Sequence, residues 1–140
     1  MLAQIAIGTA IILLTIAVHS VWTVLVHHVA HWQAERIRHF RGRVYIMVGV
    51  VAVLMMAHFV EIFIWSVTYA VVGVTPAGKS DLYFAFVNYT TLGYGDILPV
   101  PAWQLLGPMT AASGILLFGW STAVIMQVLR IALPDTYATK

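Results

Sequence analysis

Along the chain, three long apolar runs are separated by two short stretches in which polar residues collect. The runs extend from about Leu2 to Val26, Val44 to Val74 and Ala102 to Leu133. Each exceeds the roughly 20 helical residues needed to cross a hydrocarbon core, so the pattern predicts three transmembrane helices. Pro134 closes the third run, since the residue before a proline is steered away from helix. A fourth apolar segment, "LYFAFVNYT", follows "TPAGKSD" and is too short to span. Ser80 and Asp81 suit the N-terminal end of a helix there, and such a helix reaches only about 15 Å. It forms either an outer hairpin or interfacial helix, or a re-entrant half-helix that descends partway and returns through residues 91–96 as extended chain. Non-helical backbone is tolerated at membrane depth only where protein buries it or water lines it.

Composition narrows the class. The chain has 140 residues, 61% hydrophobic and 9% charged, with mean hydropathy +0.93. Soluble domains carry about 25% charged residues, so this chain has too little polar surface for water and belongs in a lipid bilayer. It has no cysteine, which excludes disulfides and thiolate chemistry. A net charge of +2 gives no reason to expect nucleic acid. No nucleophile–base spacing or phosphate loop suggests an enzyme. The N-terminal run lacks a basic flank and a small-residue cleavage site, and reads as a retained helix. Arg36, Arg38, Arg41 and Arg43 lie between the first two runs, whereas the second polar stretch has one base, Lys79. The positive-inside rule then places the arginine loop and the C-terminus, with Arg130 and Lys140, in the cytoplasm. The N-terminus and the loop after Val74 face outward.

Within that outer loop stands "YTTLGYGDILP", Tyr89–Pro99. Gly93 and Gly95 accept positive φ without a Cβ clash. Alternating handedness along such a strand turns successive carbonyls to one side as a ladder of oxygens, with the Thr91 hydroxyl as lowest rung and Leu92 and Tyr94 packing behind. One chain supplies one edge of a cation cage, so several copies about an axis are implied. The segment resembles the potassium-channel signature T-x-G-Y-G-D, whose chance occurrence is on the order of 10⁻⁷ per position at average composition. The wider resemblance, over about Val44–Leu133, is to the pore module of small bacterial potassium channels.

The resemblance implies an all-α membrane protein assembled as a homotetramer. Residues 1–43 would form an extra first helix and the arginine loop, and residues 44–134 the pore domain. Within it would lie an outer helix (44–74), a pore helix (81–90), a selectivity filter (91–96) and an inner helix (102–133), followed by a 135–140 tail. Potassium would be held by carbonyls of Thr91, Leu92, Gly93 and Tyr94, completed by Gly95, with no other cofactor. Asp96 would stand at the outer mouth, and Val87, Asn88 and Thr90 behind the filter. Val87 occupies a position where some bacterial members hold a glutamate. Gly114 and Gly119 match the inner-helix segment at which the family bends to gate. The competing readings are a weakly selective cation channel and a non-conducting membrane subunit that uses the fold for assembly.

The trigger for opening is less defined. The arginines lie outside the spans and miss the three-residue spacing of a voltage sensor, and neither a sensor domain nor a cytoplasmic ligand-binding domain is expected in this chain. Polar residues inside the spans are the alternative. His58, Glu61, Trp65 and Thr68 share one face of the second helix, and Thr15, His19 and Thr23 one face of the first. An intramembrane ionisable group is a functional hypothesis: His19, His58 and Glu61 could fasten helices, sense pH, or bind a proton or metal. His27, His28 and His31 are expected at the headgroups. In the third run, Thr110, Ser113, Gly114, Leu117 and Ser121 form a small, hydroxylated stripe suited to close packing or to lining a cavity. Pro108 is expected to kink that helix slightly by freeing the Gln104 carbonyl.

Overall fold

A computed structural model describes residues 1–36 and 39–132. The described chain is helical, with no strand. Helix α1 is Leu2–Arg36, α2 is Phe40–Val72, α3 is Asp81–Tyr89 and α4 is Leu106–Ala132, with a 3₁₀ turn at Pro101–Trp103. The three long helices are apolar and long enough to cross a membrane, as the three-run pattern predicts. Arg38, Pro134 and Lys140 lie outside the described residues.

Helix α1 does not stop near Val26. It continues through the histidines to Arg36, roughly 50 Å at 1.5 Å per residue, because Gln33, Ala34 and Glu35 are good helix formers and nothing breaks the run. His28 and His31 are exposed on it and His27 is half-buried. Helix α2 ends at Gly73, whose φ of 69° lets its N–H return to the Tyr69 carbonyl, a left-handed cap that glycine adopts most easily. Helix α3 starts as the sequence suggests: the Ser80 hydroxyl accepts from the Tyr83 N–H, and the Thr75 hydroxyl donates to Asp81. Pro108 sits in the first turn of α4 rather than inside it. A proline there removes an N–H that has no helical partner anyway, which takes away the reason for a kink.

Helix α1 packs along both α2 and α4, and α3 is wedged between α2 and α4. The Leu105 N–H donates to Gln4 Oε1 at 2.9 Å, so the start of α1 and the start of α4 share one end of the bundle. The Val100 N–H donates to the Val74 carbonyl at 2.9 Å, pinching the neck of the excursion that carries α3. Two apolar clusters hold the bundle. One gathers Ile62, Trp65, Tyr69, Phe84, Tyr89 and Leu106 around α3; the other gathers Val26, Ala30, Ile46, Leu54, Val124 and Val128 at the far end. On α1, α2 and α4 alike, the polar residues His19, His58, Glu61 and Ser121 fall between them in sequence.

Candidate functional site: the loop after α3 and the polar ring behind it

The loop hangs from the C-terminal end of α3. Thr91 N–H donates to the Asn88 carbonyl and Leu92 N–H to the Val87 carbonyl, both at 2.9 Å. The Thr90 hydroxyl donates to the Phe86 carbonyl at 2.7 Å. Beyond these anchors the backbone alternates. Thr91, Gly93 and Gly95 have φ of 60°, 59° and 75°, whereas Leu92 and Tyr94 between them do not take positive φ. Gly93 and Gly95 adopt positive φ without steric penalty. For β-branched Thr91 it is an outlier, worth of order 1–3 kcal/mol.

In the single chain Leu92 and Tyr94 are 54% and 67% exposed. The single chain has no surface to receive them, because Val87 and Tyr89 are already buried in the bundle. Asp96 is fixed from α3, where the Tyr83 hydroxyl donates to Oδ2 at 2.8 Å. That bond to the carboxylate pushes the Tyr83 phenol above its ordinary range. The Asn88 Nδ2 donates to the Tyr69 hydroxyl at 3.2 Å, and the side chain packs beside Gly107.

Behind α3 the intramembrane residues converge on a closed ring. His19 Nδ1 lies 2.8 Å from Glu61 Oε1, and His58 Nδ1 lies 3.1 Å from Oε2. His58 Nε2 is 2.9 Å from Ser121 Oγ, which is 3.3 Å from His19 Nε2. The Tyr89 hydroxyl donates to Glu61 Oε2 and lies 2.9 Å from His58 Nδ1. Glu61 and His19 are 0% exposed. A charged side chain at the centre of a span costs about 2.5–3.5 kcal/mol on insertion scales, and this network of partners offsets it. His19, His58 and Glu61 have side-chain types that ligate metals and place donor atoms within 4.8 Å of one another. Their direct contacts of 2.8 and 3.1 Å are shorter than the roughly 3.3 Å edge of a tetrahedron built from ~2.05 Å metal bonds. As placed, these atoms stand at hydrogen-bonding distance from one another.

Sequence reading singled out His19, His58 and Glu61 as intramembrane polar residues but missed Tyr89 and Ser121 as their partners. The stripe on α4 is buried inside the chain and makes specific contacts. Thr110 Oγ1 is 2.6 Å from the Tyr69 hydroxyl, Ser113 Oγ is 3.1 Å from Thr15 Oγ1, and Ser121 closes the ring. A Cβ on Gly114 would stand 1.9 Å from the Tyr89 carbonyl oxygen, so a bare backbone is required there. Gly119 has open space around it. On α2, Trp65 and then Tyr69 continue the buried face, while the half-exposed Thr68 turns its hydroxyl onto the Ile64 carbonyl.

Three spanning helices with a short helix and extended loop pinched between two of them define a multi-pass membrane protein. A family profile described as "Ion channel" matches residues 57–131, from the middle of α2 through α3 and the loop to the end of α4. The match covers more than half of the chain, and the protein belongs to this ion-channel family. No curated protein and no solved structure matches it.

Proposed function

We propose that the chain is one subunit of a homotetrameric, potassium-selective channel that conducts passively and catalyses no reaction. The observation that carries this is the alternation of positive φ at Thr91, Gly93 and Gly95 in an exposed strand anchored to the C-terminal end of a short helix. Such a strand presents carbonyls of Thr91, Leu92, Gly93 and Tyr94 on one side, with the Thr91 hydroxyl below them and Gly95 completing the turn. Rings of backbone carbonyls replace the hydration shell of potassium, and four chains supply the oxygens that one cannot. The exposed Leu92 and Tyr94 side chains are then covered by neighbouring subunits. Each α3 directs its C-terminal half-charge toward the axis, which stabilises a cation without a buried carboxylate in the path.

In this reading Asp96 stands at the outer mouth, held by Tyr83. Val87 and Asn88 back the loop through the Val87 carbonyl and the Tyr69 bond, and Thr90 ties its base to α3. The N-terminus and the mouth face outward; the α1–α2 connection and the C-terminal end of α4 face the cytoplasm. Gly119 is the freer of the two glycines about which α4 can bend. Gating is linked to pH through His19, His58 and Glu61.

Complementation of a bacterium deficient in potassium uptake tests the reading. The wild-type chain is expected to restore growth at low potassium, and Gly93→Ala, which forces a side chain into the positive-φ strand, is expected to abolish it. Equal growth with both variants, or with neither at comparable membrane expression, would contradict it.

A further inference from the structure

Hydrogens can be counted around the buried ring. Its four edges are Glu61–His19, His19–Ser121, Ser121–His58 and His58–Glu61. Each edge needs one hydrogen between its two heavy atoms, because facing lone pairs repel. With Glu61 ionised and both imidazoles neutral the ring owns three hydrogens, one on each imidazole and one on Ser121. Four edges and three hydrogens leave one edge empty whichever tautomers are chosen. Tyr89 cannot make up the difference: its hydrogen already lies on Glu61, and turning it onto His58 only moves the deficit. One added proton closes every edge and brings the cluster to zero net charge. In a water-poor interior both effects favour the proton-bound ring, since an unmade bond and an uncompensated charge are each costly there.

The surroundings supply no substitute. Helix α1 contributes His19, α2 His58 and Glu61, and α3 Tyr89. Helix α4 contributes Ser121 with the rings of Trp120 and Phe118. Among the described residues no other titratable or charged side chain bonds to the ring. Its longest edge, 3.3 Å between His19 and Ser121, is the first to be given up when a hydrogen is missing. That edge joins α1 to α4, two residues from Gly119 and beside the Tyr89 from which the loop departs.

We infer that the ring holds one exchangeable proton per subunit, and that this proton locks α1 onto α4 behind the base of the conducting loop. Loss of the proton on alkalinisation opens the His19–Ser121 edge, loosening α4 against the first helix at that level while the Thr15–Ser113 and Gln4–Leu105 bonds hold the outer end, and altering conduction. This deepens the pH-linked reading above and rests on it. Helix α1, which lies outside the matched family region, thereby acquires a role of its own, since it carries one side of the lock.

Two substitutions follow from the hydrogen count. Glu61→Gln supplies the missing hydrogen from its own amide, donating to His19 while its oxygen accepts from His58 and from the Tyr89 hydroxyl, so the ring closes with both imidazoles neutral. Ser121→Ala deletes two edges and leaves two, which the two imidazole N–H groups already serve. Potassium efflux from proteoliposomes and thermal melting of the purified protein are measured for all three chains from about pH 5 to 9, spanning the histidine range. Wild type is expected to show a one-proton transition in efflux and a lower melting temperature on its alkaline side. Glu61→Gln is expected to stay at the acid-side values of both throughout, and Ser121→Ala to lose the alkaline transition. The inference is overturned if wild type melts identically across the range or if Glu61→Gln keeps the wild-type profile. A melting temperature that falls on adding a chelator would also overturn it, because the ring then holds a metal. If no chain conducts at any pH, the conduction reading fails while the melting comparison still decides the lock.

Discussion

Thr91 carries a conformational cost that Gly93 and Gly95 avoid, and the difference separates what backbone and side chain contribute. A glycine would adopt φ near 60° more cheaply, and in the proposed reading the threonine hydroxyl at the base of the ladder is what the cost secures. Gly114 makes the complementary case on α4, where an added methyl meets the Tyr89 carbonyl oxygen at 1.9 Å. Overpacking of this kind costs about 1–3 kcal/mol, so Gly114→Ala is expected to lower the melting temperature by several degrees. Gly119→Ala, with nothing within 4 Å, should leave it unchanged. Equal melting of the two variants would mean that α4 and α3 do not meet this closely. Much at this scale was legible: the positive-φ glycines follow from the motif, and Glu61 and His58 stand out as ionisable residues in an apolar run. Ser121 and Tyr89 were not, because a hydroxyl on a helix face looks the same whether it meets lipid, a cavity or an imidazole on another chain segment.

At the scale of elements, α3 is capped, pinched at its neck and tethered at its mouth. Ser80 and Asp81 fix its start, and Val74–Val100 closes the excursion. The Tyr83–Asp96 bond ties its first turn to the far end of the loop. The sign of the pH effect on this tether follows from the phenol, which must be protonated to donate and whose pKa is raised by Asp96. The bond is therefore fully present below the ordinary tyrosine range and lost only as pH climbs through the raised value. Tyr83→Phe should remove it at every pH, loosening the mouth without unfolding the helix. Faster hydrogen exchange at residues 93–97 in the variant, with unchanged exchange in α2, is the expected outcome; identical exchange in the loop would show that the tether is idle. Sequence periodicity found every helix but misjudged ends. It stopped the first span near Val26, where the histidines begin, although the helix runs on through Val29, Ala30 and Trp32 to Arg36. It also treated Pro108 as an interior residue, because the turn at Pro101–Trp103 that delays α4 leaves no mark in hydropathy.

At the scale of the whole molecule, the single chain leaves Leu92 and Tyr94 uncovered, and Ile115, Leu116 and Phe118 exposed on α4. The proposed fourfold assembly would cover such surfaces and enclose the carbonyls at once. Native mass spectrometry from detergent should yield a tetramer, and a monomer or dimer as the conducting species would contradict the proposed cage. The expectation of four copies comes only from the motif: nothing in span length or charge specifies a stoichiometry, and one ladder per chain is what makes several copies an expectation. The central claim is that four such ladders select potassium. Its most direct test is the reversal potential of the purified protein in planar bilayers with potassium on one side and sodium on the other. The account predicts a reversal potential far toward the potassium equilibrium value, collapsing or losing its current in Gly93→Ala. A reversal potential near zero, with potassium and sodium passing equally, would contradict it.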